Sequence, residues 1–193
     1  MNESNKNNSR RKFITNSLLS VAGISSLSSF TFATSETDKN QMDIHQVRLG
    51  FIGVGRQAMG ILNGMMKIPG VQVLACADVD ADKRTRFQKR VARHIEENGK
   101  EQVEVNSYTN YNELLERKDI DAVVIATPDH WHCIQMVDAC AAGKQVLVEK
   151  PASNSIAEAA LMVKAAQKYG SIVQVNQWQR SQQHFADAYF APV

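Results

Sequence analysis

The stretch from Val47 to Gly60, Val-Arg-Leu-Gly-Phe-Ile-Gly-Val-Gly-Arg-Gln-Ala-Met-Gly, constrains this chain more than any other. An apolar run interrupted by Arg48 leads into the closely spaced Gly53 and Gly55, and a helical pattern follows. That is the order of a strand, a tight turn and a helix N-terminus that cradles a dinucleotide pyrophosphate. Gly53 and Gly55 let the backbone turn and approach the phosphates with no Cβ in the way. The helix start, with Val54, Arg56 and Gln57 around it, offers free N–H groups and a partial positive charge to an anion. Ala58 falls where the pattern takes Gly or Ala for close helix–strand packing. Taken alone, the motif also fits an ordinary strand–helix turn, so the rest of the chain has to decide.

The second apolar run, Val71 to Ala77, ends at Asp78-Val79-Asp80. An acidic residue at this remove from the glycines, about 20 positions on, meets the adenosine ribose in dinucleotide-binding folds. The alternative is that Asp78 or Asp80 caps the next helix; the ribose role is read for Asp78 and the cap for Asp80. A carboxylate there accepts from the ribose hydroxyls and repels a 2′-phosphate, which favours NAD, whereas the neighbouring Arg84 leaves NADP open. In the helix that follows, Phe87, Val91 and Ile95 recur as a buried stripe. Its Lys83, Arg84, Arg86, Lys89, Arg90 and Arg93 lack interleaved aromatics and read as a solvated face. A formal net charge of +2 gives no general reason for a nucleic-acid or anionic-membrane partner.

Val103 to Tyr108 alternates as a third strand, and Asn110-x-x-Glu113 marks a capped short helix. Asp121 to Ala126 is near-continuously apolar, as in strands of parallel sheets covered on both faces. It runs into Thr127-Pro128-Asp129-His130-Trp131-His132-Cys133, a polar cluster where open α/β sheets bind ligands. His130, His132 and Cys133 crowd too closely at a helix start to converge on one ion, and no metal site is read. Gln145 to Val148 is a fifth strand, followed at once by Glu149-Lys150-Pro151. Lys150, held off helical geometry by the proline, is placed to donate a proton or hydrogen bond to a substrate oxygen; a surface ion pair is the alternative. Ser155-x-x-Glu158 caps a helix from Ile156 to Tyr169. Ser171 to Val175 is the sixth strand, and Asn176 to Arg180 a polar, aromatic loop.

Strand–helix repetition with short connections predicts an α/β fold, a doubly wound parallel sheet in the order 3-2-1-4-5-6. Every polar cluster then falls on one edge, which turns the glycine pattern into a cofactor site. The N-terminus differs. Ser9-Arg10-Arg11-Lys12-Phe13-Ile14 precedes a modestly apolar, Ser-rich run to Ala33. This run is too polar to span a membrane, which takes ~20 mostly apolar residues. It resembles a twin-arginine export signal, which predicts a periplasmic protein; a disordered basic tail is the alternative. Three cysteines, Cys76, Cys133 and Cys140, form no disulfide framework, and Cys76 and Cys140 read as buried thiols.

Gly53-x-Gly55-x-x-Ala58, Asp78, Asp121-Ala122-Val123 with Ala126-Thr127-Pro128 and His132, Glu149-Lys150-Pro151 and Arg180 together resemble the glucose–fructose oxidoreductase, inositol dehydrogenase and rhizopine-catabolism (Gfo/Idh/MocA) family, in an exported branch found in Bacteroidetes-like bacteria. The resemblance implies a Rossmann domain over residues 46–180 that takes NAD, with NADP open, in an oxidoreductase of sugars, polyols or glycosides. It implies that Pro128 and His132 line the nicotinamide side and that Thr127 belongs to the cofactor set. Glu149 and Lys150 then carry the site motif, with Lys150 and His132 catalytic, and Arg180 joins the cofactor set. Some family members use a transient oxidation to open a glycosidic bond. Residues 1–45 are expected to be signal and linker, and 181–193 the start of a crossover into a second α/β domain that the chain lacks. Without that domain an apolar face stays uncovered, which favours self-association into a homo-oligomer. The alternative expectation is a truncated nucleotide-binding remnant without turnover.

Overall fold

In the computed structural model of the chain, residues 46–99 and 103–190 are described. The arginine pair and the Ser-rich run fall outside them. The elements are β1 (Val47–Ile52), α1 (Arg56–Met65), β2 (Val71–Ala77), α2 (Ala81–Glu97), β3 (Asn106–Tyr108), α3 (Tyr111–Leu115), β4 (Ala122–Ile125), α4 (His132–Ala141), β5 (Gln145–Glu149), α5 (Ile156–Tyr169), β6 (Val173–Asn176) and α6 (Gln183–Phe190). Single 3-10 turns precede α4 and α6. The six strands form one parallel sheet in the order β3-β2-β1-β4-β5-β6, the expected doubly wound topology. No helix among the described residues is long and apolar enough to cross a membrane.

Apolar alternation along the strands feeds two cores. Ile52, Val123, Ile125, Val146 and Val148 pack on one face with Leu114, Met136 and Met162. Phe51, Val73, Cys76 and Val124 pack on the other with Leu62 and the Phe87, Val91 and Ile95 stripe. The Phe51 and Phe87 rings meet at 5.1 Å between centroids. β3 is shorter than its alternating pattern predicts: only Asn106–Tyr108 pairs with β2, and Val105 instead turns into the second core. On α5 only Met162 and Ala165 are buried, and Ile156, Leu161 and Val163 are exposed.

Helix starts follow the side chains. Asp80 caps α2, its Oδ1 accepting from the N–H groups of Asp82 and Lys83. Asn110 caps α3 through the N–H of Asn112, and Ser155 caps α5 through that of Glu158. Gly170, at φ +65°, ends α5 in the left-handed region.

Polar side chains stitch the strands together at their amino ends. Arg48, the break in the first apolar run, grips Asp121 from β1: Nη2 lies 2.7 Å from Oδ1 and Nε 3.0 Å from Oδ2. This pairing holds the Asp121 carboxyl below its usual range. Lys144, buried just before β5, donates to the carbonyls of Arg117 and Ile120 before β4. Gln145 Oε1 accepts from the N–H of Ile172, just before β6, at 2.5 Å.

Candidate cofactor site

The carboxyl ends of the strands carry every residue singled out for chemistry. At the first turn, Gly53 adopts φ +78°, and its N–H donates to the Ala77 carbonyl at 2.8 Å. A Cβ on it would lie 2.6–2.8 Å from Cγ2, N and Cα of Thr127. The turn after β1 is therefore pressed against the end of β4, and only glycine fits. Gly55 differs. It is the N-cap of α1 at φ −71°, and a Cβ there would meet nothing within 4 Å. The helix has no side-chain cap and no acidic residue in its first turn, so the N–H groups of Arg56, Gln57 and Ala58 face an open cradle. Ala58 itself is fully buried, which brings α1 close to the sheet. A pyrophosphate fits this arrangement: uncapped donors, positive helix end, and space that a side chain would fill.

Asp78 stands beside it. Its Oδ2 accepts from the Val54 N–H at 2.9 Å, and its Oδ1 from the Asp80 N–H at 3.0 Å. The carboxylate thus ties the first turn to the end of β2. Each oxygen keeps a lone pair for a ribose hydroxyl, since a carboxylate offers about four acceptor sites. The Arg84 guanidinium folds back onto the Asp78 carbonyl at 2.5 Å.

After β4, Thr127 Oγ1 donates to Gln135 Oε1 at 2.7 Å, and Pro128 is exposed. His132 is 1% exposed, with Nδ1 2.7 Å from the Pro151 carbonyl and Nε2 2.9 Å from the Thr127 carbonyl. Each ring nitrogen faces the carbonyl of one of the two turns, and the neutral ring donates to one of them according to its tautomer. As placed, His132 presents no free nitrogen to a ligand; it fastens the end of β4 to the Lys150–Pro151 turn, whose peptide bond is cis. The reason is local: α4 begins at His132 itself, behind a 3-10 turn, and this directs the ring inward.

Glu149, at the end of β5, is 4% exposed. Its Oε1 accepts from Gln57 Nε2 at 2.9 Å and Asn176 Nδ2 at 2.5 Å, and its Oε2 from the Lys150 N–H at 3.0 Å. Lys150 is exposed and forms no ion pair among the described residues, Glu149 included. Arg180 lies exposed in the 3-10 turn after β6, its N–H on the Gln177 carbonyl. Asn176 opens the polar loop read after the sixth strand, whereas the structural partner Gln135 had no motif to mark it. Gln135 lies within an apolar helix, where a buried amide is the available sign.

Comparison with known proteins agrees with this geometry. A family model described as an oxidoreductase family with an NAD-binding Rossmann fold, Gfo/Idh/MocA, matches residues 47–177. A glycosyl hydrolase family 109 protein of Shewanella sp. (strain ANA-3) is 36% identical over 115 residues, 58% of this chain and 24% of that protein. An alpha-N-acetylgalactosaminidase of Shewanella oneidensis is 30% identical over 122 residues, 63% of this chain and 26% of its own. A solved 3-ketoreductase from Actinomadura kijaniata, in complex with NADP and TDP-benzene, superposes with a TM-score of 0.62 at 31% identity, over 75% of this chain and 41% of that one. The chain thus spans about a quarter of the length of these two curated relatives. With the family match over residues 47–177 and the 3-2-1-4-5-6 parallel sheet, the chain belongs to the Gfo/Idh/MocA oxidoreductase family and carries its NAD(P)-binding Rossmann fold.

Proposed function

We propose that this chain is the nucleotide-holding part of an exported, periplasmic enzyme acting on a sugar or glycoside, with NAD preferred over NADP. The observation that carries the reading is the open cradle at Gly55 beside the Asp78 carboxylate. When bound, the nicotinamide supplies a hydride acceptor or donor at a carbinol carbon of the substrate. The uncapped N–H groups of α1 hold the pyrophosphate, and Asp78 accepts from the ribose hydroxyls while disfavouring a 2′-phosphate. Arg84 is committed to the Asp78 carbonyl, which leaves that repulsion unopposed. Lys150, exposed at the strand end, carries a proton to or from the substrate oxygen. His132 acts through the two carbonyls it touches, keeping the Thr127 and Lys150 turns in register. The sugar class rests on the names of the relatives. The two Shewanella proteins favour glycoside opening through transient oxidation over net dehydrogenation.

Fluorescence titration of the purified chain with NADH and NADPH tests the cofactor preference. Saturable NADH binding, tighter than NADPH, is expected, and Asp78→Asn should narrow the gap. An NADPH preference in the wild type overturns the role given to Asp78. Lys150→Ala should leave NADH binding within about 2-fold.

A further inference from the structure

The Glu149 carboxyl group is enclosed, yet among the described residues no cation pairs with it. Its three described partners are neutral N–H donors, and they come from three different places: the first turn of α1, the last residue of β6, and the backbone of Lys150. Buried carboxyl groups are usually matched by a cation. Lys150 is adjacent in sequence and would supply one, but its ammonium forms no ion pair with Glu149. The arrangement keeps the lysine side chain free and fixes only its backbone.

Each donor is placed to transmit something. Gln57 lies in the first turn of α1, between Arg56 and Ala58, so its own N–H lines the phosphate cradle while its side chain reaches Glu149. Asn176 ends β6, paired in register with Glu149. A shift of the α1 start therefore moves Gln57 Nε2. Glu149 Oε1 is shared with Asn176, which is anchored in the sheet, so the carboxyl group pivots about that contact instead of moving as a whole. Glu149 Oε2 then carries the displacement to the Lys150 N–H. Two side chains separate the phosphate cradle from the backbone of the lysine.

We infer that Gln57 and Asn176 are positioning residues: through Glu149 they couple occupancy of the α1 cradle to the orientation of the Lys150 side chain. This rests on the cofactor reading above and goes beyond it, because that reading needs only that NADH binds and that Lys150 is near. Asn176 provides the fixed point and Gln57 the moving one. Breaking either leaves the lysine in place but uninformed of the cofactor.

The test uses the whole chain, reductively dimethylated with 13C so that each lysine keeps its charge, with the Lys150 signal assigned from Lys150→Arg. NADH is expected to shift the Lys150 resonance in the wild type. Asn176→Leu should bind NADH within about 2-fold of wild type but lose at least about half of the NADH-dependent shift, as expected when one bond of a coupled network is removed. Gln57→Leu should show the same loss at saturating NADH. Gln88→Leu removes a hydrogen bond to the Val105 carbonyl far from the site and should leave the response intact. A Lys150 response equal to wild type in both Asn176→Leu and Gln57→Leu overturns the coupling. So does an equal loss in Gln88→Leu, which would make it a general softening. A wild type that fails to bind NADH overturns the cofactor reading instead.

Discussion

Replacing Gly53 and Gly55 by alanine separates what the first turn does for the fold from what it does for the ligand. At Gly53, φ is +78° and the new Cβ meets Thr127 Cγ2 at 2.6 Å, N at 2.7 Å and Cα at 2.8 Å. A left-handed L-residue costs about 1–2 kcal/mol. Because two of the three atoms met are backbone, relief requires moving the end of β4, and overpacking of that kind adds about 1–3 kcal/mol. Gly53→Ala should therefore lose about 2–5 kcal/mol of stability. At Gly55, φ is −71° and the space is open. Alanine is the poorer N-cap by a few tenths to about 1 kcal/mol. The stiffer unfolded chain returns about 0.4–1 kcal/mol, so stability should stay within about 0.5 kcal/mol. The methyl stands where a phosphate oxygen would approach, and losing one charge-assisted hydrogen bond is worth about 1.5–3 kcal/mol. NADH should then bind about 10- to 150-fold more weakly. Urea unfolding reads the first quantity and NADH fluorescence the second. Gly55→Ala that binds NADH like wild type would refute the phosphate cradle, and Gly53→Ala as stable as wild type would refute the packing argument.

Two further outcomes follow from the charges and thiols. Arg117 holds the Asp119 carboxyl down at about 2, and Arg48 holds Asp121 below its usual range. Folded values below the unfolded one, about 3.9, mean stability that is present above about pH 4 and lost as pH falls towards 2. Arg48→Leu should thus be less stable at pH 7, with its deficit against wild type narrowing across that window in urea titrations; a constant deficit would remove the ion pair from the account. Burial pushes the Cys76 thiol up to about 12, and Cys133 and Cys140 are buried as well. A disulfide reagent at pH 8 should label none of the three in the native protein and all of them in guanidinium; rapid native labelling would contradict the packing.

The sheet order and the tight turn after β1 were legible because both rest on local spacing. Gly53, Gly55 and Ala58 are set by three or four neighbouring positions, and parallel strands with right-handed crossovers leave few topologies. The place of Asp78 just after β2 could be read from the apolar run before it, although not that its carboxylate would hold the Val54 N–H. The pairing of Gln57 and Asn176 with Glu149 was not legible: they lie 92 and 27 positions away, and neither the glycine motif nor the polar loop that holds them says which carboxyl group they reach. His132 misled for a related reason. Its motif predicts proximity to the turn, but only the start of α4 decides which way the ring points. Arg48 carried a usable sign, an arginine inside an apolar strand, with Asp121 at the matching place before the partner strand.

The stitching at the amino ends has a consequence for how such a protein changes over time. Arg48–Asp121, Lys144 with the Ile120 carbonyl, and Gln145 with the Ile172 N–H join β1 to β4, β4 to β5 and β5 to β6. All three lie at the opposite end of the sheet from the loops that meet a ligand. Variation in those loops, beyond the few positions such as Gly53 that the turns need, leaves the fasteners untouched. A lineage can vary the far rim while inheriting the same frame, and mutational drift should be freest in those loops.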